Sequence, residues 1–95
     1  INSNIFVVKN GAVYTSPIAD GCIDGVMRKH ILAIASENRI LTFEKSLTVH
    51  TLADADEVFL TNAISGIQWV GQFKNQFYTN KMSVFFNEKL NETRI

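Results

Sequence analysis

The stretch Asn4-Ile5-Phe6-Val7-Val8-Lys9-Asn10-Gly11-Ala12-Val13-Tyr14-Thr15 sets the frame for the chain. Ile5 to Val8 are β-branched or aromatic, side chains whose bulk suits the pleated surface of a sheet. Ala12 to Thr15 is similar, and Asn10-Gly11 between them tolerates positive φ at both central positions of a type I′ turn. The expectation is an antiparallel hairpin, Asn4–Lys9 with Ala12–Thr15.

Working outward, Pro17, Asp20-Gly21 and Asp24-Gly25 load the segment from Ser16 to Gly25 with turn chemistry. A loop of that length in a small domain is more often functional than idle. From Val26 to Asn38 the pattern is helical. Met27, Ile31, Ile34 and Ala35 recur at three-and-four spacing, Arg28, Lys29 and Glu37 fall elsewhere, and Asn38 is an acceptable stop. Arg39 to Glu44 reads as a strand with Ile40, Leu41 and Phe43 on an apolar side, and Leu47 to Ala55 as a short helix. Glu57 to Thr61 reads as a strand buried on both faces. Asn62 to Gly66 is a break, Ile67 to Gln72 another strand, and Phe77-Tyr78 its continuation after Lys74-Asn75. Thr79 or Asn80 can cap a last helix carrying Met82, Phe85, Phe86, Lys89 and Leu90. The expected order is ββαβαββα: an α+β or α/β chain with a mixed sheet or pseudo-barrel and flanking helices.

Composition bounds the function. At 95 residues there is room for one core, and 46% hydrophobic residues is too apolar for a disordered chain. The longest uninterrupted apolar run, Ile31 to Ala35, is far short of the about 20 residues a membrane span needs. Nine basic residues balance nine acidic ones and are scattered, which removes the long-range attraction of a nucleic-acid or anionic-membrane binder. One cysteine, Cys22, and the absence of a signal-peptide pattern fit a reducing cytoplasm. The chain starts at Ile1, almost at its first strand, which is expected either of a chain with a further part upstream or of one that has lost a short leader.

Two segments carry candidate chemistry. A helix start leaves unpaired N–H groups and a partial positive charge, and a glycine there lets an anion approach the backbone. Gly25-Val26-Met27 is therefore a phosphate cradle on physical grounds, although the same residues also describe an ordinary Gly-containing helix start. No Lys-Ser/Thr pair follows, and the Gly21 to Gly25 spacing is wrong for a dinucleotide fingerprint. The second segment is the end of the Glu57 strand, where Thr61-Asn62-Ala63 puts polar groups at the sheet's carboxyl edge, a common ligand position in α/β proteins. A plain turn after a core strand is the competing reading. Asp54, Asp56 and Glu57 lack the glycine and distal glutamate of a calcium loop, so a solvated turn is favoured over a metal. His30 and His50 have no nucleophile arranged with them. Trp69, Phe85 and Phe86 have the spacing of core residues.

Together the pieces are more specific. Ser3-Asn4-Ile5-Phe6-Val7-Val8-Lys9-Asn10-Gly11, Tyr14-Thr15-Ser16-Pro17, Gly21-Cys22-Ile23-Asp24-Gly25-Val26-Met27-Arg28 and Ala55-Asp56-Glu57-Val58-Phe59-Leu60-Thr61-Asn62-Ala63 resemble, in order and separation, the C-terminal part of class IV, fold-type IV pyridoxal-phosphate enzymes. That family includes branched-chain and D-amino-acid aminotransferases and 4-amino-4-deoxychorismate lyase. The resemblance implies that Gly25, Val26 and Met27 bind the phosphate of pyridoxal 5′-phosphate through backbone N–H groups. It implies that Asn62, Ala63 and Ile64 line the phosphate and substrate side. Ala63 stands where aminotransferases often carry a threonine, so that hydroxyl contact is lost, and Met27 with Asn62-Ala63 leans toward the lyase-like branch.

The family's mechanism needs a lysine that carries the cofactor and shuttles the α-proton, and a carboxylate on the pyridine nitrogen. Both would lie upstream of Ser3-Asn4-Ile5-Phe6, and none of Lys9, Lys29, Lys45, Lys74, Lys81 and Lys89 stands in the lysine's context. The resemblance thus implies the C-terminal portion of one large domain, no catalytic residue within it, and no activity in isolation. In the intact enzyme it implies an amino-acid or aminodeoxychorismate substrate and a homodimer. A non-catalytic phosphate-binding or interaction module is the alternative.

Overall fold

The structure, a computed structural model, describes residues 3–17 and 25–93. The hairpin forms as the opening stretch dictates. β1 (Asn4–Lys9) pairs antiparallel with β2 (Ala12–Thr15), Val8 opposite Val13. Asn10 at φ 52° and Gly11 at φ 79° occupy the turn, the positive values its type requires.

β1 also pairs antiparallel with β4 (Glu57–Asn62), which places Asn4 opposite Thr61 and Phe6 opposite Phe59. β2 takes β3 (Thr42–Glu44) as a parallel neighbour and β4 takes β5 (Gly66–Trp69) as an antiparallel one. The result is a mixed five-stranded sheet in the order β3-β2-β1-β4-β5. β4 is buried on both faces, as its apolar run implies.

Two helices cover one face. α1 (Val26–Glu37) and α3 (Lys81–Thr93) bring Ile31, Ile34, Ala35, Phe86 and Leu90 onto Phe6, Val8, Val13 and Phe59. Phe6 and Phe59 stack at 5.1 Å, and Phe86 tilts against Phe59 at 5.7 Å. Between β3 and β4 runs α2 (Val49–Ala53), whose Thr48 N-cap and Thr51 exchange the two bonds of a capping box. On the opposite face, Leu52 and Phe73 pack against a second cluster of Val7, Ala55, Val58 and Tyr78.

Four expectations are corrected. Arg39–Glu44 is a strand only from Thr42: Arg39, at φ 59°, closes a Schellman motif in which Ile40 N–H donates to Ala35 O at 2.8 Å and Arg39 N–H to Ser36 O. β3 is exposed along its length, so Leu41 and Phe43 do not form a buried side. Phe77 does not continue the strand from Ile67. β6 (Gln72–Phe73) and β7 (Gln76–Phe77) make a separate ribbon, because Lys74 at φ 53° reverses the chain between them. The strand order is therefore ββαβαββββα. Trp69, on the edge strand, is half exposed, although Phe86 is fully buried.

The start of α3 shows a cap that no local pattern contains. Asn80 precedes the helix and its carbonyl accepts from Val84 N–H, but Met82 N–H donates at 2.8 Å to Oε1 of Glu57, buried on β4. A carboxylate from the sheet thus pins the helix that seals the core.

Candidate functional site

The first turn of α1, the last residues of β4 and the β4–β5 turn surround one cleft of about 500 Å³. Gly25, Val26 and Met27 line it from the helix, and Asn62, Ala63 and Ile64 from the turn. The structure therefore brings together the six residues singled out for the phosphate side, although more than thirty positions separate the two groups. Asp20 to Asp24, with Cys22, lie outside the described residues.

Gly25 is the N-cap, extended at φ −96° and ψ 159°, with no side chain to turn back on the helix. No acidic residue stands in the first turn. The opening N–H groups of α1 thus stand at the positive end of a 12-residue helix with no side-chain cap, and among the described residues no acidic side chain in its first turn. The Val26 side chain is exposed at the mouth, and Met27 packs partly into the core.

The opposing wall is organised by Asn62. Its Oδ1 accepts from Ile64 N–H at 2.9 Å, Ser65 N–H at 2.7 Å and Ser65 Oγ at 3.0 Å, while its Nδ2 reaches Ser3 Oγ at 3.5 Å. This turn holds its own shape through one carboxamide. A ligand using the Ile64 amide must compete with that side chain. Ala63 offers only a methyl group, and the Ile64 side chain is almost wholly exposed.

The floor carries Asn4, which sequence reasoning passed over, and Thr61, which it noted only as part of the polar end of its strand. Asn4 and Thr61, cross-strand neighbours, are 6% and 1% exposed and line the cleft. Among the described residues neither Asn4 Oδ1 nor Thr61 Oγ1 has a hydrogen-bond partner. An orphaned buried polar atom costs about 1–3 kcal/mol. The available signal was parity: Asn4 and Thr61 stand two residues from Phe6 and Phe59, on the inward face of their strands, where a polar side chain is out of place.

Arg28 is also corrected by the structure. It is buried, because positions 28, 31 and 35 share the inward stripe of α1. Its Nη2 donates to Ser16 O at 3.1 Å and lies 3.5 Å from Glu44 Oε1, tying the end of β2 and the edge strand to the first turn of α1. His30 and His50 are exposed. Asp54 and Asp56 lie 3.7 and 3.8 Å from Lys9 Nζ, Asp56 Oδ2 also accepts from Asn10 N–H, and Glu57 faces α3, so these carboxylates point to different tasks. No helix among the described residues is long and apolar enough to cross a membrane.

Among the described residues the cleft lining holds no lysine and no carboxylate. Its chemistry is that of neutral donors: backbone N–H groups at a helix start, hydroxyls and a carboxamide. Donors of that kind suit an anion, and among the described residues none of them is an ordinary acid or base.

Comparison with known proteins places this geometry in a family. The sequence profile described as amino-transferase class IV matches residues 1–73. A D-alanine aminotransferase of Bacillus licheniformis is 33% identical over 66 residues, covering 70% of this chain and 23% of that protein. The crystal structure of a branched-chain aminotransferase from Thermoproteus uzoniensis with norvaline superposes with a TM-score of 0.90 at 27% identity, covering 96% of this chain and 31% of that one. The 4-amino-4-deoxychorismate lyase of Pseudomonas aeruginosa superposes with a TM-score of 0.87 at 26% identity, covering 97% and 34%. The chain thus spans roughly a quarter to a third of the length of the proteins it resembles.

Proposed function

Because the chain belongs to the class IV aminotransferase family, we propose that its cleft is the phosphate side of a pyridoxal 5′-phosphate site in an enzyme acting on amino acids, an aminotransferase or an aminodeoxychorismate-lyase-like enzyme. One observation carries this reading. The capless start of α1 and the β4–β5 turn close on the same cleft, with Gly25, Val26 and Met27 on one wall and Asn62, Ala63 and Ile64 on the other.

The residues present fit the group. A phosphate monoester is dianionic near neutral pH and rich in acceptor oxygens, and the cleft offers N–H groups at a helix's positive end with, among the described residues, no lining carboxylate to repel it. Gly25 permits close approach of the phosphoryl oxygens to the backbone. The N–H groups of the first turn hold the phosphate, and Val26 and Met27 present apolar atoms that limit water at its edge. Asn62 fixes the turn through Ile64 and Ser65, so that the wall beside the substrate is set before anything binds. When bound, the cofactor supplies an electron-withdrawing ring that stabilises charge at an amino acid's α-carbon. The lysine and the pyridine-binding carboxylate belong, on this proposal, to the part of the enzyme that precedes this C-terminal portion of its large domain. The intact enzyme is then a cytoplasmic homodimer.

The absence of a lysine from the described lining favours one second reading, a non-catalytic phosphate-binding module. Amide hydrogen exchange separates the possibilities. Pyridoxal 5′-phosphate is expected to slow exchange at Val26 and Met27, while the chain alone gives no amino-acid-dependent turnover. Unchanged exchange refutes the phosphate site, and turnover by the isolated chain refutes the assignment of catalysis to residues elsewhere.

A further inference from the structure

Burial normally exacts a hydrogen-bond partner for every polar atom, and groups left without one mark a place where something else is meant to bond. Asn4 Oδ1 and Thr61 Oγ1 are two such atoms on adjacent strands, opposite each other in the antiparallel register, and both residues line the cleft below the start of α1. Other inward positions of the same two strands are satisfied or apolar: Phe6, Val8 and Phe59 pack in the core, and Glu57 receives Met82 N–H. Within the sheet the deficit is confined to its cleft end; the one other such atom among the described residues, Arg28 Nε, lies in the first turn of α1.

We propose that Thr61 and Asn4 are direct ligands of the phosphoryl group seated at the start of α1, Thr61 through its hydroxyl proton and Asn4 through its carboxamide NH₂. This rests on the phosphate-site reading given above and extends it to residues on the sheet. Thr61 Oγ1 has a proton to donate and nothing among the described residues to receive it. Ala63, two residues on, brings no hydroxyl to the cleft, so Thr61 is the side-chain hydroxyl that β4 offers there. The orphaned Asn4 oxygen would repel an anion as it stands. The last side-chain torsion of asparagine is broad and two-fold, so a half-turn exchanges the oxygen for the amide nitrogen, which then donates. Both groups are buried, so their bonds to an anion are shielded from competing water.

A site built this way has a consequence that a structural role does not share. The hydroxyl of Thr61 costs stability when the cleft is empty of ligand and supports binding when it is filled. Thr61→Val, which replaces the hydroxyl by a methyl of similar size, is therefore expected to melt no lower than the wild type without ligand, and to bind phosphate about tenfold more weakly. Thr61→Ser restores affinity to within about threefold, because the donor returns. Asn4→Asp replaces the donor with a fixed negative charge and weakens binding by more than about tenfold; were the Asn4 oxygen the contacting atom, accepting from a ligand donor, the same substitution would preserve or strengthen it.

The test follows the amide resonances of Gly25 to Arg28 in the 95-residue chain during titration with inorganic phosphate and with pyridoxal 5′-phosphate, using pyridoxal as the unphosphorylated control. Melting is recorded for every variant. Shifts with a phosphorylated probe but not with pyridoxal, weakened in Thr61→Val and Asn4→Asp and recovered in Thr61→Ser, support the proposal. Response to both phosphates makes any phosphate the ligand, and response to pyridoxal 5′-phosphate alone makes it the cofactor's phosphate. No shift in the wild type with either probe refutes the phosphate site itself. Wild-type binding with undiminished affinity in Thr61→Val refutes the role of Thr61 and leaves the site standing. A Thr61→Val chain that is destabilised yet binds normally shows the hydroxyl to be structural, which also overturns the proposal.

Discussion

Removing the Glu57 carboxylate tests whether the fold is pinned as the geometry implies. Met82 N–H donates to Glu57 Oε1 at 2.8 Å, and Glu57 is 6% exposed. A hydrogen bond to a charged acceptor contributes about 1.5–3 kcal/mol. A carboxylate near the positive end of a helix adds up to about 2 kcal/mol when partly buried. The two estimates overlap, since the same N–H groups form the dipole's positive end, so the combined effect is about 2–3 kcal/mol rather than their sum. Glu57→Gln keeps an acceptor and loses the charge, which is expected to cost about 1–1.5 kcal/mol. Glu57→Ala loses both and is expected to cost about 2–3 kcal/mol, a fall in melting temperature of about 10 °C or more for a domain of this size. Urea unfolding at constant slope measures both, and exchange at the Met82 amide locates the effect. A Glu57→Gln chain within about 0.3 kcal/mol of wild type, or an alanine variant more stable than the glutamine one, refutes the argument.

Three other outcomes follow from single positions. Tyr78 donates to Leu52 O, and burial raises its phenol above the usual 10.0, so the folded chain keeps a proton that the unfolded chain loses. Its stabilising effect is full below pH 10 and declines as pH rises through the folded value; Tyr78→Phe is expected to be about 0.5–1.5 kcal/mol less stable at neutral pH and to show a shallower alkaline decline, read by urea unfolding across pH. At Gly11, φ is 79° and an added Cβ would meet nothing within 4 Å, so Gly11→Ala carries backbone strain alone, about 1 kcal/mol, with no loss beyond that in thermal melts. Phosphate affinity is expected to change less than about threefold between low and moderate salt, because no charged side chain among the described residues lines the cleft; a steep salt dependence by titration calorimetry would contradict this.

The sheet and its helices were legible where one local cue dominated. Asn10-Gly11 specifies the first turn, and the apolar run from Glu57 specifies a strand covered on both sides. Cues failed where tertiary partners decide. Arg28 looked like a surface residue until Ser16 and Glu44 gave its guanidinium somewhere to go. The cap of α3 comes from Glu57, 25 residues earlier, which no window of adjacent residues can reveal. The strand expected over Ile67–Gln72 stops at Trp69, and the reversal at Lys74 that pairs β6 with β7 went unread because a left-handed lysine leaves no compositional trace. In the cleft, Gly25 to Met27 and Asn62 to Ile64 could each be singled out by their position at an element's end, but their meeting could not. Asn4 was hidden by its neighbours, since a polar residue beside a run of core side chains reads as the edge of a strand, and Thr61 was visible as a polar strand end but its pairing with Asn4 was not.

The cleft also explains why the composition is silent about it. Charge-based reading finds anion sites made of lysine and arginine, and this chain balances its charges and keeps them out of the described lining. On the proposed function the attraction is built from peptide dipoles, which carry no formal charge and which every sequence possesses; what selects a site is where the helix starts and what stands opposite. That places the burden on geometry. The α1 start must be held still, and the side chain that ties it to both the end of β2 and the edge strand is Arg28, whose charge is used within the fold and not on the ligand. On the proposed function, the one basic group buried in that first turn acts on the anion through the position of the backbone it fixes, and neutral donors do the holding.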